Sequence, residues 1–221
     1  MVSSSNQTTL LPVRFKAKSL WNDFQSYNNL TDQQVQKFQQ YADLLLAWNK
    51  LHNITAITKL ERVVSEHFQD SLMLIHARDI SNSTGVVDIG SGGGLPGIPL
   101  ALALPNLPVT LIEVSQKKIA FLEQTVKALE LHNVTIFEYD WRTFLKTTTL
   151  PIQYLCARAS LPVKELGRAF KPSSPYKDST LVYWASRHWQ MPNNLPLQIE
   201  HQANYVLIGK ERNLAFIKPK A

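Results

Sequence analysis

The sequence predicts an α/β fold with a mostly parallel sheet, an antiparallel C-terminal hairpin and an N-terminal helical extension. Three observations lead there. From Gly85 onward, short apolar runs alternate with stretches of helical periodicity. The first apolar run is followed at once by a glycine cluster, Gly90-Ser91-Gly92-Gly93-Gly94. The last two runs, Tyr205-Val206-Leu207-Ile208 and Leu214-Ala215-Phe216-Ile217, flank Gly209-Lys210-Glu211-Arg212-Asn213, the pattern of a hairpin.

Taken in order, residues 1–30 begin Asn- and Ser-rich with little periodicity, and are expected to form a flexible arm or a loosely packed first helix. Thr31 with Gln34 three residues on marks a capping-box helix start. Val35, Phe38, Ala42, Leu45 and Trp48 follow at three- and four-residue steps and make one buried face. Residues 49–55 read as a turn, and a second helix is expected over residues 60–77, with Val63, Val64, Phe68, Leu72 and Ile75 inward. Residues 1–80 thus form the helical extension and residues 81–221 the core, together one compact unit.

Within the core, residues 85–89 read as a strand. Pro96 falls in the first turn of a helix, where proline is tolerated, and Pro105 ends that helix. A second strand covers residues 109–112 and ends at Glu113. Residues 117–131 are helical, with Ile119, Leu122, Val126 and Leu129 on one face. Further strands are expected at residues 134–137, 152–156 and 181–184.

Composition narrows the class. The chain has 221 residues, 44% hydrophobic and 18% charged, which is a globular balance. No apolar run is long enough to span a bilayer, and Arg14, Lys16 and Lys18 interrupt any signal-peptide core in the first twenty residues. No membrane association and a cytoplasmic location are therefore expected. A single cysteine, Cys156, forbids an internal disulfide and suits a reducing compartment. The net charge of +6 is uneven: residues 1–140 hold 11 Lys/Arg against 13 Asp/Glu, and residues 141–221 hold 12 against 4. A basic last third fits either a polyanionic partner or simply a soluble basic surface. If RNA is that partner, Lys164, Arg168 and Lys171 are expected to engage it.

Four glycines in five positions after a buried strand allow close backbone approach to a ligand. Gly92-Gly93-Gly94-Leu95-Pro96-Gly97 formally matches the dinucleotide fingerprint, but it starts two residues after Gly90 rather than at the strand end. The better register is Asp88-x-Gly90-x-Gly92-x-Gly94, with an acid on the strand terminus, a pattern common among methyltransferases. Asp88 can hold the loop or meet a methionine ammonium, and beside a pyrophosphate it would repel. Glu113, 25 positions further, can accept both ribose hydroxyls, which suits a nicotinamide dinucleotide and S-adenosylmethionine alike. His67, Asp70 and Ser71, at i, i+3 and i+4, share a helix face that either lines a target-base pocket or forms a capping or surface network tying the extension to the sheet.

Several longer stretches resemble one family. Asp88-Ile-Gly-Ser-Gly-Gly-Gly-Leu-Pro-Gly-Ile-Pro99 is the most specific, joined by Trp48-Asn-Lys-Leu-His-Asn53-Ile-Thr-Ala, His67-x-x-Asp70-Ser71, Lys117-Lys-Ile-Ala-Phe-Leu122, Arg158-Ala159, Glu211-Arg212 and Ile217-Lys218. The sequence is similar to the bacterial small-subunit rRNA guanine-N7 methyltransferases of the RsmG, or GidB, family. The resemblance implies a Rossmann-like class I methyltransferase fold, S-adenosylmethionine as cofactor, and 16S rRNA or the small ribosomal subunit as partner, with the protein a monomer. It implies cofactor contacts at Gly90 and Leu95 in the loop and Glu113 at the ribose, Trp141-Arg142 beside the adenine, and Arg158 at the mouth of the pocket. With the register above, Asp88, Gly92 and Gly94 complete the cofactor set. The chain departs from the family at Trp141-Arg142, where a small or apolar residue followed by Glu is usual, and at Ser186-Arg187, where Lys-Gly is usual.

Guanine N7 has an in-plane lone pair and no proton to lose, so no general base is expected. The work is alignment of nucleophile, methyl and sulfur. No nucleophile motif, metal-spaced His/Cys set or Asn-Pro-Pro-Tyr-type amino-methylation motif is present, so no metal is expected. Arg158 is expected to orient the guanine or the cofactor, in preference to a purely structural ion pair. A drifted, weakly active or non-catalytic RNA- or cofactor-binding relative is the alternative, and a nicotinamide-dependent oxidoreductase a third reading.

Overall fold

A computed structural model describes residues 6–220. One eight-stranded sheet has the order β1-β7-β8-β6-β5-β2-β3-β4. The strands are β1 (Gln7–Thr9), β2 (Val86–Ile89), β3 (Val109–Ile112), β4 (Val134–Phe137), β5 (Tyr154–Arg158), β6 (Thr180–Ser186), β7 (Leu197–Leu207) and β8 (Lys210–Pro219). β6, β5, β2, β3 and β4 run parallel, and β8 inserts antiparallel between β6 and β7. β2 and β3 are buried along their whole length, as continuous apolar strands covered on both faces should be.

Helices cover both faces. On one lie α1 (Leu20–Asn28), α2 (Asp32–His52), α4 (Asp70–Ala77), α5 (Gly97–Ala103) and α6 (Gln116–Ala128), sharing a core that includes Leu45, Phe68, Leu100, Leu111 and Phe121. On the other, α7 (Trp141–Thr147) and α8 (Val163–Leu166) pack over Val87, Ile89, Leu155 and Leu181. This is the mostly parallel α/β sheet that the alternation of strands and helices predicted, in the Rossmann-like arrangement that the resemblance implied.

Four segments refine the sequence reading. Within residues 1–30, Phe24 of α1 is fully buried, edge-to-face with Phe38 at 5.0 Å, and β1 pairs in parallel with β7. That segment is packed, not loose; the polar triplet Gln7-Thr8-Thr9 carries no pattern that marks a strand. Residues 1–5 lie outside the described residues. The expected helix over residues 60–77 contains a π-helical stretch, Val63–Gln69, between α3 (Leu60–Arg62) and α4. β5 runs two residues later than expected, from Tyr154 to Arg158, with Ile152 packed against the sheet outside its ladder. The terminal hairpin is far longer than expected: Leu207 pairs with Lys210 across a two-residue turn, Ile208-Gly209, with φ of 50° and 71°. Positive φ at both positions matches the twist of the flanking strands. Residues 210–213, read as loop, are therefore strand.

The capping box forms as expected. Gln34 N donates to Thr31 Oγ1 at 3.2 Å, and Thr31 N donates to Gln34 Oε1 at 2.9 Å. Gln34 Nε2 also donates to the carbonyls of Leu102 and Ala103, at 3.0 and 2.9 Å, and so ties α2 to the end of α5.

Candidate active site

From β2 the chain moves outward to β3 and β4, then crosses back to β5 on the other side. Ligands of open α/β sheets bind in the crevice beyond the carboxyl ends of the strands at such a switch point. Two adjoining cavities open there. The first, of about 560 Å³, is lined by residues that include Ile112, Glu113, Asp140, Trp141, Arg142 and Ser160. The second, of about 660 Å³, includes Gly92, Leu95, His67, Asp70, Arg158 and Arg212. Gly90, Lys118 and Ala159 line both.

Asp88 builds the glycine loop from behind. Its carboxyl is fully buried, and Oδ2 accepts a 2.9 Å hydrogen bond from Gly97 N at the start of α5. Burial pushes this carboxyl up to about 7, against the pull of the Gly97 N–H and the Arg158 charge. A Cβ at Gly97 would lie 2.2 Å from Leu111 Cδ2 and 3.1 Å from Asp88 Cβ, so the residues behind the loop would have to shift to admit one. Gly94 is likewise occupied by packing, since its Cβ would meet Ile98 Cδ1 at 2.3 Å. Asp88 and Gly94, expected among the cofactor contacts, are thus on the wall of neither cavity; they shape the loop. Gly92 differs. Its φ is +60°, and the nearest atom to a Cβ there would be Gly90 O at 4.0 Å, so the space beside it is open. Tyr41 of α2, stacked on Phe68 at 4.9 Å, supports the loop through a hydrogen bond from its hydroxyl to Gly93 O.

Glu113, at the end of β3, accepts from Gly92 N at 2.8 Å through Oε2, and from Val114 N and Ser115 N at 3.0 Å through Oε1. Lys118 Nζ is 3.9 Å away. A carboxylate has about four acceptor sites, so capacity remains toward the cavity. Asp140 caps α7, accepting from Arg142 N at 2.8 Å and Thr143 N at 3.0 Å. The cap fixes Trp141 against the cavity with its indole parallel to Phe144, at 6.0 Å and 13°. Trp141 Nε1 and Ser160 Oγ are buried on this same wall without a hydrogen-bond partner. Arg142 is exposed at the rim, paired with Glu165 at 2.8 Å. Hydrogen bonds from Arg142 foremost, then Arg168, hold Glu165 down at about 2.

The second cavity is walled by a charged network. Arg158 Nη1 donates to Asp70 Oδ2 at 3.1 Å and to Glu66 O at 3.3 Å, while Nη2 lies 3.4 Å from His67 Nδ1. Asp70, fully buried, is also ion-paired with Arg212 Nη1 at 2.9 Å and accepts from the Tyr205 hydroxyl at 2.8 Å; its backbone oxygen takes Trp184 Nε1. Glu66, bound by Arg62 and Lys210, is held at about 2, first by the Arg62 hydrogen bond. Burial and the Arg158 charge pull His67 down to about 3. His67 is therefore neutral near pH 7. With Arg158 donating toward Nδ1, the ring proton sits on Nε2 and goes to Thr55 Oγ1 at 2.8 Å.

Two expectations change here. The ion pair of Arg158, set second to an orienting role, is present, and Arg158 also lines the cavity. His67 and Asp70 both line the cavity and tie the helix to β5, β7 and β8, but the network is buried, not superficial. Ser71 does neither, because its hydroxyl turns back to His67 O at 2.7 Å. Of the departures at the C-terminal side, Ser186 lines the second cavity and Arg187 pairs with Glu211 at 2.6 Å.

Several wall residues escaped sequence reasoning. Asp140 carried a usable signal, an acid just before a helical Trp-Arg-Thr. Lys118 lay in the motif at the start of α6. Ser160, Tyr205 and Lys210 carried none, because the hairpin register that brings the last two in depends on the two-residue turn.

The family model for GidB, described as rRNA small subunit methyltransferase G, matches residues 34–193. A protein of Streptococcus pneumoniae serotype 19F named ribosomal RNA small subunit methyltransferase G is 32% identical over 208 residues, 92% of this chain and 86% of that one. Proteins of the same name from Lachnoclostridium phytofermentans and Chromobacterium violaceum are 43% and 47% identical over 107 residues, 48% of this chain. Against those two, the chain spans about half of their length, 44% and 50%. Among solved structures, M. capricolum TrmK in complex with S-adenosyl-homocysteine aligns with a TM-score of 0.51 at 16% identity, over 70% of this chain and 69% of that one. The mitomycin 7-O-methyltransferase MmcR aligns with a TM-score of 0.53 at 14% identity, over 91% and 71%. At those identities the likeness is one of fold. The family match and the near full-length pneumococcal alignment agree, and the chain belongs to the GidB family of rRNA small subunit methyltransferases G.

Proposed function

We propose that this chain transfers the methyl group of S-adenosylmethionine to N7 of a guanine in 16S rRNA. One observation carries the reading: a ligand-sized crevice beside the glycine loop in which the titratable groups around Arg158 are withheld from taking a substrate proton. His67 is held far below neutrality, Glu66 is tied to Arg62 and Lys210, and Asp70 is committed to two guanidinium groups and a phenol. N7 needs no such group.

The residues present fit the cofactor. Open space at Gly92 gives it room, and Glu113 at the end of β3 keeps acceptor capacity toward the first cavity. In this reading Gly90, Gly92 and Leu95 border the methionine side, Glu113 accepts ribose hydroxyls, Trp141 lies beside the adenine and Arg142 closes the rim. S-adenosylmethionine, when bound, supplies an electrophilic sulfonium methyl. Arg158, held by Asp70, orients the guanine at the mouth through its planar fork. Alignment and exclusion of water by the walls then do the work. Asp88 and Gly94 act only through the loop they shape. Residues 81–221 carry the transfer, and residues 1–80 buttress the cavity through Tyr41, His67 and Asp70. Such a protein acts in the cytoplasm, and every proposed site residue comes from one chain, so a monomer suffices.

The test is incubation of small-subunit RNA and small-subunit particles with S-adenosylmethionine, followed by mass spectrometry and by borohydride–aniline cleavage, which cuts at N7-methylguanosine. A single added methyl at a cleavable guanine is expected. Tight S-adenosylhomocysteine binding with no single-turnover methylation of either substrate would identify a binding relative instead.

A further inference from the structure

A second feature lies outside the crevice, on the face covered by α7 and α8. The last turn of α7 and residues 168–177 enclose a groove of about 840 Å³. Five cations line it, Arg142, Lys146, Arg168, Lys171 and Lys177, and no carboxylate does. Arg142 and Arg168 share the nearby Glu165, each at 2.8 Å. Among the described residues, Lys146, Lys171 and Lys177 form no salt bridge, and all three are exposed.

The walls are fixed by packing. Tyr176 is buried, stacked on Phe144 of α7 at 5.3 Å and 21°, and its hydroxyl pairs with Thr148 Oγ1. Pro172 and Pro175 restrict the backbone on either side of Ser173 and Ser174. The lysines therefore converge on a trough of set shape rather than spreading over a solvated face. Like charges gathered this way repel one another until an anion joins them. The groove follows α7, a length of about 10 Å at 1.5 Å per residue, which exceeds one phosphate. Arg142 lines both this groove and the first cavity, so the groove is continuous with the rim of the proposed active site.

We propose that this groove holds the sugar–phosphate backbone of the RNA substrate, positioning it without reading its sequence. The proposal rests on the function proposed above. It also moves the expected RNA contacts: Arg168 and Lys171 lie in the groove, Lys164 does not.

The test compares the wild type with Lys146→Gln/Lys171→Gln/Lys177→Gln, using a small-subunit RNA transcript and an unrelated transcript of equal length across a salt series. Each lost phosphate contact removes roughly 0.7–0.9 from the slope of log affinity against log salt, so a fall of about 2–3 is expected for both transcripts. S-adenosylhomocysteine affinity should stay as in the wild type. An unchanged slope overturns the proposal. So does an equal fall in the control Arg14→Gln/Lys16→Gln/Lys18→Gln. Saturable binding of inorganic triphosphate with an undiminished RNA slope assigns the groove to a small polyphosphate and overturns it too. A wild type that shows the groove-dependent slope yet methylates no RNA leaves the groove standing and refutes the methyltransferase reading instead.

Discussion

Gly92→Ala separates a ligand-binding role for the glycine loop from a merely structural one. At φ of +60° the added Cβ costs about 1–2 kcal/mol, the penalty of left-handed backbone for an L residue. No clash adds to it, because the nearest atom would be Gly90 O at 4.0 Å. For a chain of this size about 1 kcal/mol lowers the melting temperature by roughly 2–4 °C, so the variant should melt about 2–8 °C lower and still fold. The methyl group, however, enters the space left for the cofactor. S-adenosylhomocysteine affinity should fall at least about tenfold, or about 1.4 kcal/mol, and Gly92→Val should abolish binding. Gly97→Ala supplies the contrast. Its Cβ would lie 2.2 Å from Leu111 Cδ2 and 3.0 Å from Asp88 Oδ2, behind the loop, so its damage is overpacking, typically about 1–3 kcal/mol, with the smaller loss of affinity. Calorimetric titration with S-adenosylhomocysteine, alongside thermal melts followed by circular dichroism, measures both quantities. A folded Gly92→Ala variant with wild-type affinity would refute the placement of the cofactor.

Arg158→Lys keeps the charge but loses the fork, so single-turnover methylation should slow at least about tenfold at every pH from 6 to 9; rescue at high pH would point to a base-dependent reaction, and a normal rate would remove Arg158 from the site. Asp70→Asn leaves the Arg158 and Arg212 guanidinium groups facing each other without their shared carboxylate. Urea unfolding should show a loss of about 2–4 kcal/mol, below the usual range for a broken buried pair because Arg212 is partly exposed, and a loss under about 0.5 kcal/mol would contradict the network's role. His67, held at about 3, takes up fewer protons in the folded than in the unfolded chain between about pH 3 and 6.5, so its contribution to stability is lost as pH falls through that window. Asp88, raised to about 7, acts in the opposite sense, losing stability as pH rises from about 4 to 7. His67→Gln should therefore fall further below the wild type in melting temperature as pH rises from 4.5 to 6.5; parallel melting profiles for the two proteins would rule this out.

Features encoded locally were legible in the sequence. Thr31 and Gln34 named their helix start, the apolar runs named the central strands, and Asp88 with the glycines located the crevice. What escaped is held by partners far apart in the chain. Asp70 is readable as an acid on a helix, but nothing near it announces Arg158, Tyr205 and Arg212 as its partners. The π-helical stretch from Val63 to Gln69 follows from tertiary packing, since its residues would serve an α-helix equally well. Ile208 at positive φ is an unfavourable choice for a hairpin turn, so the pattern favoured a longer loop and hid the strand that carries Lys210 and Arg212. Of the two roles the sequence left open for Asp88, its buried hydrogen bond from Gly97 N realises the holding of the loop, and the packing of Ile98 and Leu122 around Gly94 is something a motif does not contain.

The strand order carries a consequence for how the chain comes off the ribosome. β1 pairs with β7, across almost the whole sequence, and β8 must slide between β6 and β7 to complete the sheet. During synthesis β2, β3, β4, β5 and β6 can assemble as they emerge, and the glycine loop, Glu113 and Trp141 come into place with them. Tyr205, Lys210 and Arg212, the far wall of the second cavity, arrive only with the last strands. Until then β6 presents an open edge, an invitation to pair with another chain. Closure through such distant contacts is intrinsically slow. The half proposed to hold the cofactor is thus encoded ahead of the half facing the guanine, which waits for the last strands.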